Sequence, residues 1–272
     1  MRNNSNPLIV VKLAAILLSV TILAGSIIII SSGCNNLRSE KHTGNDWISI
    51  FNGENLDGWS VQCTSRDQGN NFWTVGNGAI VCNSLGSTDH NYIWLVSDKE
   101  YDNFELRLKF QVSKRHKGNS GIQVRSRWDP SAEEEGTGDL AGWLDGPQID
   151  IEPNDPWRNG YIYDETREAK RWINPSLPNW EIDSAMYAPE RYIYYTEDQV
   201  PGWNEVRIIC DGLKIKTIVN NITISDYDGS GRLDDAAHRK HNVGIKGHIA
   251  FQLHKYSENE IRFKDIEIKE IN

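Results

Sequence analysis

The stretch FELRLKFQV, residues 104–112, decides the fold class, because its apolar and polar residues alternate strictly along the chain. Successive side chains of a β-strand point to opposite faces, so this pattern predicts an antiparallel strand with one buried and one exposed face. Similar runs occupy residues 204–224, 248–254 and 261–271. The helical period is weak after residue 45. We therefore predict an all-β protein, with many short antiparallel strands forming a sandwich or a barrel.

Two kinds of local signal divide these runs. Asp211-Gly212 and Asn220-Asn221 are residue pairs typical of tight hairpin turns, and each interrupts an apolar run. In the last run the apolar phase slips between Phe263 and Ile266, which predicts a β-bulge at Lys264-Asp265.

The N-terminal segment is unlike the rest of the chain. Residues 13–30 are almost entirely apolar, follow Arg2 and Lys12, and lead into SSGC, which ends at Cys34. This resembles a bacterial lipoprotein signal, in which Cys34 is lipidated and becomes the mature N-terminus. A transmembrane anchor is the alternative, since about 18 apolar residues can just span a bilayer.

We accordingly predict a signal peptide at 1–33, a lipidated N-terminus and tether at 34–45, and one β-domain at 46–272. The domain has roughly 225 residues, enough for a well-buried core. Both interpretations of the N-terminus tie the domain to a membrane outside the cytoplasm. We expect the bacterial cell envelope, on its periplasmic or cell-surface side.

Charge and cysteine content exclude other classes. The formal net charge of −9 argues against a nucleic-acid partner, which requires clustered basic residues. Cys63, Cys82 and Cys210 remain after Cys34, an odd number whose spacing fits no zinc motif. We predict buried thiols, with a Cys63–Cys82 bridge as the alternative in an oxidising compartment.

Three predicted strands have an unusual polar face. They lie in GNSGIQVRSR (118–127), GPQIDIE (146–152) and HIAFQLH (248–254). Alternation places on one face of these strands Asn119, Gln123, Arg125, Gln148, Asp150, Glu152, Gln252 and His254. Amides, carboxylates, a guanidinium and an imidazole among few lysines suit a concave sheet face that binds a polyhydroxylated ligand. The alternative is an ordinary wet outer face.

Long irregular segments at 129–144 and 153–201 separate the strands. Such loops in a β-protein tend to build the site that the rigid sheets hold. Their aromatic side chains form either a sugar-stacking wall or a small satellite core. The loop tryptophans are Trp143, Trp157, Trp172 and Trp180.

As an ordered set, the motifs of the chain resemble those of the 3-keto-disaccharide hydrolase domain family. They are IFNGENLDGW (50–59), YDNFELRLKF (101–110), GNSGIQVRS (118–126), GPQIDIE (146–152), YIYDE (161–165), GWNEVRI (202–208), GHIAFQLH (247–254) and IRFKDIEI (261–268). The resemblance covers residues 47–271. It implies a concanavalin A-like, laminin G-like jelly-roll β-sandwich of two antiparallel sheets, with long loops over the concave face.

The resemblance also implies a carbohydrate substrate, a glycoside or disaccharide already oxidised to a ketone at C3, supplied by a sugar 3-dehydrogenase. A ketone acidifies the neighbouring C2–H bond, so a general base can remove that proton and form an enolate. The enolate expels the leaving group from C1, and water then adds to the resulting enone. This route differs from hydrolysis by two carboxylates that flank an oxocarbenium ion. It requires a base, a donor for the enolate oxygen and an acid for the leaving oxygen.

The candidate roles follow from these requirements. Asp150 or His254 is the base, and Arg125 stabilises the enolate with its fixed charge. Glu165, in YIYDE, is the acid or a second base. The residues that we expect to bind substrate are Asn119, Gln123, Gln148, Glu152 and Gln252.

Each catalytic candidate has a structural alternative. Asp150 and Arg125 could form a cross-strand ion pair. His254 could be a core histidine bonded to a carbonyl group, and Glu165 could lie on the loop surface.

A divalent metal ion has suitable oxygen and nitrogen ligands here, but no local spacing specifies one, so we assign no cofactor and leave a metal open. The ligands would be Asp150, Glu152, Glu165 and His254. Two other functions fit the same residues: a non-catalytic carbohydrate-binding module of this fold, and a structural surface lipoprotein.

Overall fold

Two antiparallel sheets pack face to face in the computed structural model. The structure describes residues 42–43, 46–116, 118–133, 141–154, 157–175, 193–198 and 200–271. The predicted signal peptide, the lipidation site Cys34, most of the tether and Trp180 lie outside these residues. Within the described ranges, no helix is long and apolar enough to cross a membrane.

Seventeen strands and one short α-helix are present in the described residues. In chain order the strands are β1 (His42–Thr43), β2 (Trp47–Ser49), β3 (Trp59–Cys63), β4 (Trp73–Gly76), β5 (Ala79–Asn83), β6 (Ile93–Tyr101), β7 (Phe104–Val112), β8 (Ser120–Glu133), β9 (Ala141–Asp145), β10 (Pro147–Ile151), β11 (Ile162–Asp164), β12 (Arg171–Asn174), β13 (Trp203–Asp211), β14 (Lys214–Val219), β15 (Ile222–Asp228), β16 (Gly247–Leu253) and β17 (Glu260–Glu270). The helix α1 (Ala236–His241) precedes β16.

The first sheet has nine strands in the order β1-β2-β17-β7-β13-β14-β15, with β4 and β5 attached through β17. The second has eight strands in the order β12-β11-β10-β8-β16-β6-β3, with β9 attached to β8. Neighbours in both sheets pair in the antiparallel sense. The predicted all-β sandwich of two antiparallel sheets is therefore confirmed.

The core lies between the sheets and is built by the alternation that the sequence shows. The apolar positions of β7 are at most 3% exposed, as predicted. Phe251 of β16 and Phe263 of β17 stack across the two sheets, with ring centroids 4.1 Å apart. Truncating such a side chain to alanine costs about 3–5 kcal/mol.

The predicted breaks in the strands are largely confirmed. Asn220 and Asn221 have φ angles of 47° and 65°, the left-handed geometry of a two-residue hairpin turn. The register of β17 shifts between Lys264 and Glu267, and Asp265 has a φ of 51°, so the bulge is where the sequence predicts it. The other turn uses Gly212 and Leu213, one residue later than predicted, because Asp211 still pairs with Lys214.

The cysteines of the described residues are thiols. Cys63, Cys82 and Cys210 are free, with Cys82 and Cys210 buried and Cys63 half-buried. Burial raises the pKa of Cys82, so its thiol stays protonated. The alternative of a Cys63–Cys82 bridge is wrong.

Candidate active site

The outer face of β10 carries the polar row that the sequence predicts. Gln148, Asp150 and Glu152 are 2%, 4% and 6% exposed, while Ile149 and Ile151 belong to the core between the sheets. The predicted alternation is confirmed. The alternative of a wet outer face is wrong, because these polar groups are removed from solvent.

Register across β10, β8 and β16 aligns the polar side chains in two rows. Asp150 pairs with Gly121, which pairs with Gln252, and Gln148 pairs with Gln123 in the next row. A Cβ atom on Gly121 would lie 2.3 Å from Cδ of Gln148. Only glycine therefore leaves room for Gln148 to lean across the gap between Asp150 and Gln252. We call these outward-facing side chains of β8, β10 and β16 the polar face.

Four amide oxygens at this site are buried without a hydrogen-bond partner among the described residues. They belong to Asn119, Gln123, Gln148 and Gln252. The side-chain nitrogens of the three glutamines do have partners, namely the carbonyl of Leu144 and the carboxyl groups of Asp150 and Glu165. A buried acceptor without a donor costs about 1–3 kcal/mol, so the site holds several acceptors ready for hydroxyl donors.

Asp150 is a buried acid whose partners only partly balance its charge. Gln148 donates to Oδ1 at 3.0 Å and Arg158 donates to Oδ2 at 3.2 Å. Burial raises the pKa of Asp150 to about 6, although the charge of Arg158 and the bond from Gln148 oppose that rise. The carboxyl group therefore changes protonation state close to neutral pH.

Glu165 lies beside it, just after β11. Its backbone N–H donates to the Gly146 carbonyl at 3.0 Å and its carbonyl accepts from Trp143 Nε1 at 2.8 Å, which fixes the position of the residue. Gln252 donates to Oε1 at 3.3 Å. Burial, together with the charge of Asp150, raises the pKa of Glu165 to about 7, against the opposing charge of Lys170. The alternative of a surface position is wrong, since Glu165 is 7% exposed.

Two cations from the long loops approach this acid pair, and neither is marked by a pattern in the sequence. Arg158 joins Asp150 and also Glu152, from Nη2 to Oε2 at 3.0 Å. Lys170 places its ammonium group 4.1 Å from the centroid of the Trp143 ring. Arg158 and Lys170 belong to the segment predicted to build the site, but no periodicity or motif distinguishes them from its other charged residues.

Glu152 has a different setting from Asp150. Its Oε1 accepts from the backbone and the side-chain nitrogens of Asn154, at 3.0 and 2.6 Å, and its Oε2 accepts from Arg158. These bonds close the turn after β10 and hold the guanidinium of Arg158 towards Asp150. Glu152 therefore acts on the site indirectly, by positioning Arg158.

The placement of Arg125 was predicted wrongly. This residue has a φ of 51°, and the register of β8 against β16 shifts between Gln123 and Ser126, so a bulge reverses the direction of the side chain. Its guanidinium is fully buried and donates to the Asp102, Gly212 and Gly244 carbonyls and to Asn103 Oδ1. Arg125 thus joins turns at the end of the sandwich and does not reach Asp150. The alternative of an Asp150–Arg125 ion pair is also wrong, because Arg158 is the partner.

His254 follows β16 and is half-buried, with both ring nitrogens engaged. Nδ1 lies 2.9 Å from the Lys255 carbonyl and Nε2 lies 3.1 Å from the Tyr92 hydroxyl. A carbonyl can only accept, so Nδ1 carries the proton and neutral Nε2 accepts from Tyr92. The alternative in which His254 bonds a carbonyl is thus correct for one nitrogen. Burial, followed by the charges of Lys255 and Arg158, lowers the pKa of His254.

The loop aromatics pack as satellite clusters. Trp143, 1% exposed, packs with Trp94, and Tyr92 covers both rings. Trp172 packs with Tyr161 and Tyr163. The interpretation of these tryptophans as a satellite core is confirmed for Trp143 and Trp172. Trp157 is half-buried.

The described residues contain no group of three or more histidine, cysteine, aspartate or glutamate side chains that could hold a metal ion. The four ligands suggested by the sequence instead make the contacts with amides, cations and a phenol given above.

Solved structures with a similar fold are distant in sequence. A candidate glycosyl hydrolase from Parabacteroides distasonis ATCC 8503 matches 84% of this chain and 94% of its own, at 19% identity and a TM-score of 0.49. The carbohydrate-binding module CBM66 from Bacillus subtilis matches 78% of this chain and 95% of its own, at 10% identity and a TM-score of 0.45. For lectin I-B4 from Griffonia simplicifolia the shares are 79% and 94%, the identity is 11% and the TM-score is 0.39.

No protein of curated function matches the chain. A family profile does, described as the 3-keto-alpha-glucoside-1,2-lyase-like domain, and its match runs over residues 46–269. That range takes in every strand from β2 to β16 and nearly all of β17, including all the residues of the polar face. The chain therefore belongs to the family of 3-keto-alpha-glucoside-1,2-lyase-like domains.

Proposed function

We propose that this protein cleaves 3-keto-glycosides, including 3-keto-disaccharides, by removing the C2 proton, eliminating the group at C1 and adding water to the enone. The observation that carries the proposal is the buried pair of carboxyl groups, Asp150 and Glu165, whose pKa values are raised to about 6 and about 7. Because both pKa values lie near neutral pH and differ, one group can act as a base while the other still holds a proton to donate. The family of the chain supports the substrate class.

Asp150 is the base of this mechanism. At neutral pH it is the more acidic member of the pair, and it is therefore ionised when Glu165 still holds its proton. Its carboxylate lies among groups that bind sugar hydroxyls, where it can approach the C2–H bond. His254 has no ring nitrogen free for the substrate, so the choice left open by the sequence falls on Asp150.

Glu165 is the acid that protonates the leaving oxygen. Because its pKa is about 7, it is largely protonated at slightly acidic pH and can give up a proton at low cost. Arg158 replaces Arg125 as the cation nearest to the base. It stabilises the enolate oxygen, and Lys170 offsets the negative charge that forms on Glu165.

The unpartnered amide oxygens set the orientation of the sugar. Hydroxyl groups on the ring are donors, and Gln123, Gln148 and Gln252 present buried acceptors along the polar face, with Asn119 at its end. A ligand with several hydroxyls satisfies several acceptors at once. This is the physical reason for a carbohydrate rather than an apolar ligand.

The cellular setting is a proposal from the sequence alone. We propose that Cys34 is lipidated, that the domain works at the cell envelope outside the cytoplasm, and that a sugar 3-dehydrogenase supplies its substrate. Labelling with a radioactive fatty acid, lost in a Cys34→Ala variant, tests the anchor.

The catalytic proposal is tested by incubating the purified full-length protein with a 3-keto-glucoside and with the parent glucoside. We expect aglycone release from the ketone only, and a loss of at least 10³-fold in kcat in Asp150→Asn. Sugar binding without turnover would replace the proposal with a carbohydrate-binding module. If no sugar binds, a structural role remains.

A further inference from the structure

We propose that Tyr92 is a second general base of this enzyme, acting on water in the hydration step, and that His254 acts through it as a proton acceptor. This rests on the proposed function and concerns the step that decides whether the product leaves as an enone or as a hydrated sugar.

The hydrogen bonds around His254 give the direction of proton transfer. Its Nδ1 must keep its proton because it faces the Lys255 carbonyl, at 2.9 Å. Its Nε2 then carries the lone pair that accepts from the Tyr92 hydroxyl, at 3.1 Å. This is the arrangement in which an imidazole activates a hydroxyl group, as a histidine activates a nucleophilic serine. Tyr92 can therefore take a proton from a bound molecule as it gives its own to His254.

Tyr92 stands beside the polar face. Its ring stacks on Trp94, with centroids 5.5 Å apart, and meets Trp143 edge-on at 5.1 Å. Trp94 is paired in register with Gln252, whose amide bonds Glu165, and the indole of Trp143 bonds the Glu165 carbonyl. Two chains of contacts, one through Trp143 and one through Trp94 and Gln252, thus connect Tyr92 to Glu165, the acid of the proposed mechanism.

The two proposed bases, Asp150 and Tyr92, differ in solvent exposure. Asp150 and Glu165 are buried at 4% and 7% exposure, whereas Tyr92 and His254 are only half-buried. Removing a proton from carbon needs a charged base already in contact, which is Asp150. Removing a proton from water is fast through hydrogen bonds and suits a neutral relay at the side of the site that solvent reaches.

Hydration forms a C1–O bond and moves one proton from water to His254. The oxygen of water bonds to C1 of the enone, its proton passes to the Tyr92 oxygen, and the phenolic proton passes to Nε2 of His254. The π electrons of the C1–C2 bond shift towards the C3 oxygen. Asp150 returns the proton it took from C2, which restores the ketone. His254 then releases its proton to solvent, from which Glu165 regains the one it gave to the aglycone.

The test uses the full-length protein and two substrates. One is a 3-keto-glucoside, with aglycone, enone and hydrated 3-keto sugar measured separately by absorbance and NMR. The other is the enone itself, the 2-hydroxy-3-keto-glucal, whose hydration requires no cleavage of the C1–O bond. The variants are Tyr92→Phe and His254→Gln, with Tyr256→Phe as a control that removes an exposed tyrosine hydroxyl from the same region.

We expect Tyr92→Phe to release aglycone within about threefold of the wild-type rate but to raise the enone fraction at least tenfold and slow enone hydration about 10²-fold. His254→Gln can still accept from Tyr92 but cannot be protonated, and should match it, with no additional loss in the double variant. A merely structural role would lower both steps together.

The inference is overturned if the wild type does not hydrate the enone faster than buffer, or if Tyr92→Phe leaves the product ratio unchanged. A protein that hydrates the enone but cleaves no 3-keto-glycoside would remove the proposed cleavage and keep the role of Tyr92. The two failures are therefore distinguishable.

Discussion

Asp164 and Glu165 are neighbours in the chain, yet their carboxyl groups enter two very different regions. Asp164 belongs to an ion cluster, in which His238 lies between it and Asp235, and Arg171 contacts both acids. Glu165 turns to the polar face, where Gln252 donates to its carboxyl group, the charge of Asp150 raises its pKa and the charge of Lys170 opposes that rise. Both regions bury acids, but only one of them balances their charge.

The pKa values of the acids shift in opposite directions in the two regions. In the ion cluster, burial alone would raise the pKa of Asp235, but its bonds with Arg171 and His238 outweigh burial and lower it. Burial disfavours protonated His238 as well, yet the two aspartates raise its pKa. At the polar face burial prevails, and the pKa values of Asp150 and Glu165 rise. Matched charge makes a structural element, and unmatched buried acid makes a reactive site.

The largest effect should come from exchanging one acid for its amide in each region. Asp150→Asn should lower kcat for a 3-keto-glucoside at least 10³-fold with little loss of stability, because an amide cannot take a proton and no longer carries a costly buried charge. Asp235→Asn, the matched control, should lower the melting temperature and keep kcat within a few-fold. Equal losses of kcat in the two variants would contradict the division between the regions.

The fold and the polar face could be predicted from sequence because both depend on the alternation of side chains between the two faces of a strand. Ile149 and Ile151 had to enter the core, which fixed the direction of Gln148 and Asp150. This alternation is interrupted only where a bulge adds a residue to a strand. The bulge in β17 is visible as a slip in the apolar phase, whereas Arg125 and the two residues that follow it are all polar, so no apolar slip marks the bulge in β8.

The loop contribution to the site could not be predicted in this way. Arg158 and Lys170 come from a segment without period, so only tertiary contacts bring them to the acids. Tyr92 is different, because Tyr92, Trp94 and Val96 alternate with Ile93 and Leu95. This alternation predicts that Tyr92, Trp94 and Val96 share the outward face of the strand. The aromatic side of the site is therefore predictable from the sequence.

The next largest effect concerns stability. His238→Ala should lower the free energy of unfolding by about 3–5 kcal/mol, because it leaves the fully buried carboxyl of Asp164 without its imidazole. Denaturant unfolding at neutral pH measures this. His248→Ala removes a half-buried histidine from the end of β16 and serves as the control, with an expected loss under about 1 kcal/mol. A small loss in His238→Ala would show that the cluster is not matched as described.

The dependence of stability on pH should distinguish the two regions in sign. The pKa of Glu165 rises from 4.5 to about 7 on folding, so the folded state holds that proton more tightly, and the wild type loses stability as pH increases through this range. Glu165→Gln has no such proton, and its stability relative to the wild type should increase by about 3 kcal/mol between pH 4 and pH 8. Asp235→Asn should show the opposite trend below about pH 4, because the lowered pKa of Asp235 contributes stability that is complete above its unfolded value of 3.8 and is lost as pH falls below it.

The smallest effect tests Lys170, a cation that offsets Glu165. If Asp150 must be ionised and Glu165 protonated, kcat/KM follows a bell-shaped pH profile with limbs near their pKa values, about 6 and about 7. Lys170 lowers the pKa of Glu165, so Lys170→Met should raise it and move the alkaline limb up by roughly half to one pH unit, while the acid limb stays in place. Arg158 faces the other acid: its charge lowers the pKa of Asp150, so Arg158→Met should move the acid limb up instead. If both substitutions moved the same limb, Asp150 and Glu165 could not hold the separate roles of base and acid. The two carboxyl groups would then titrate as one coupled pair.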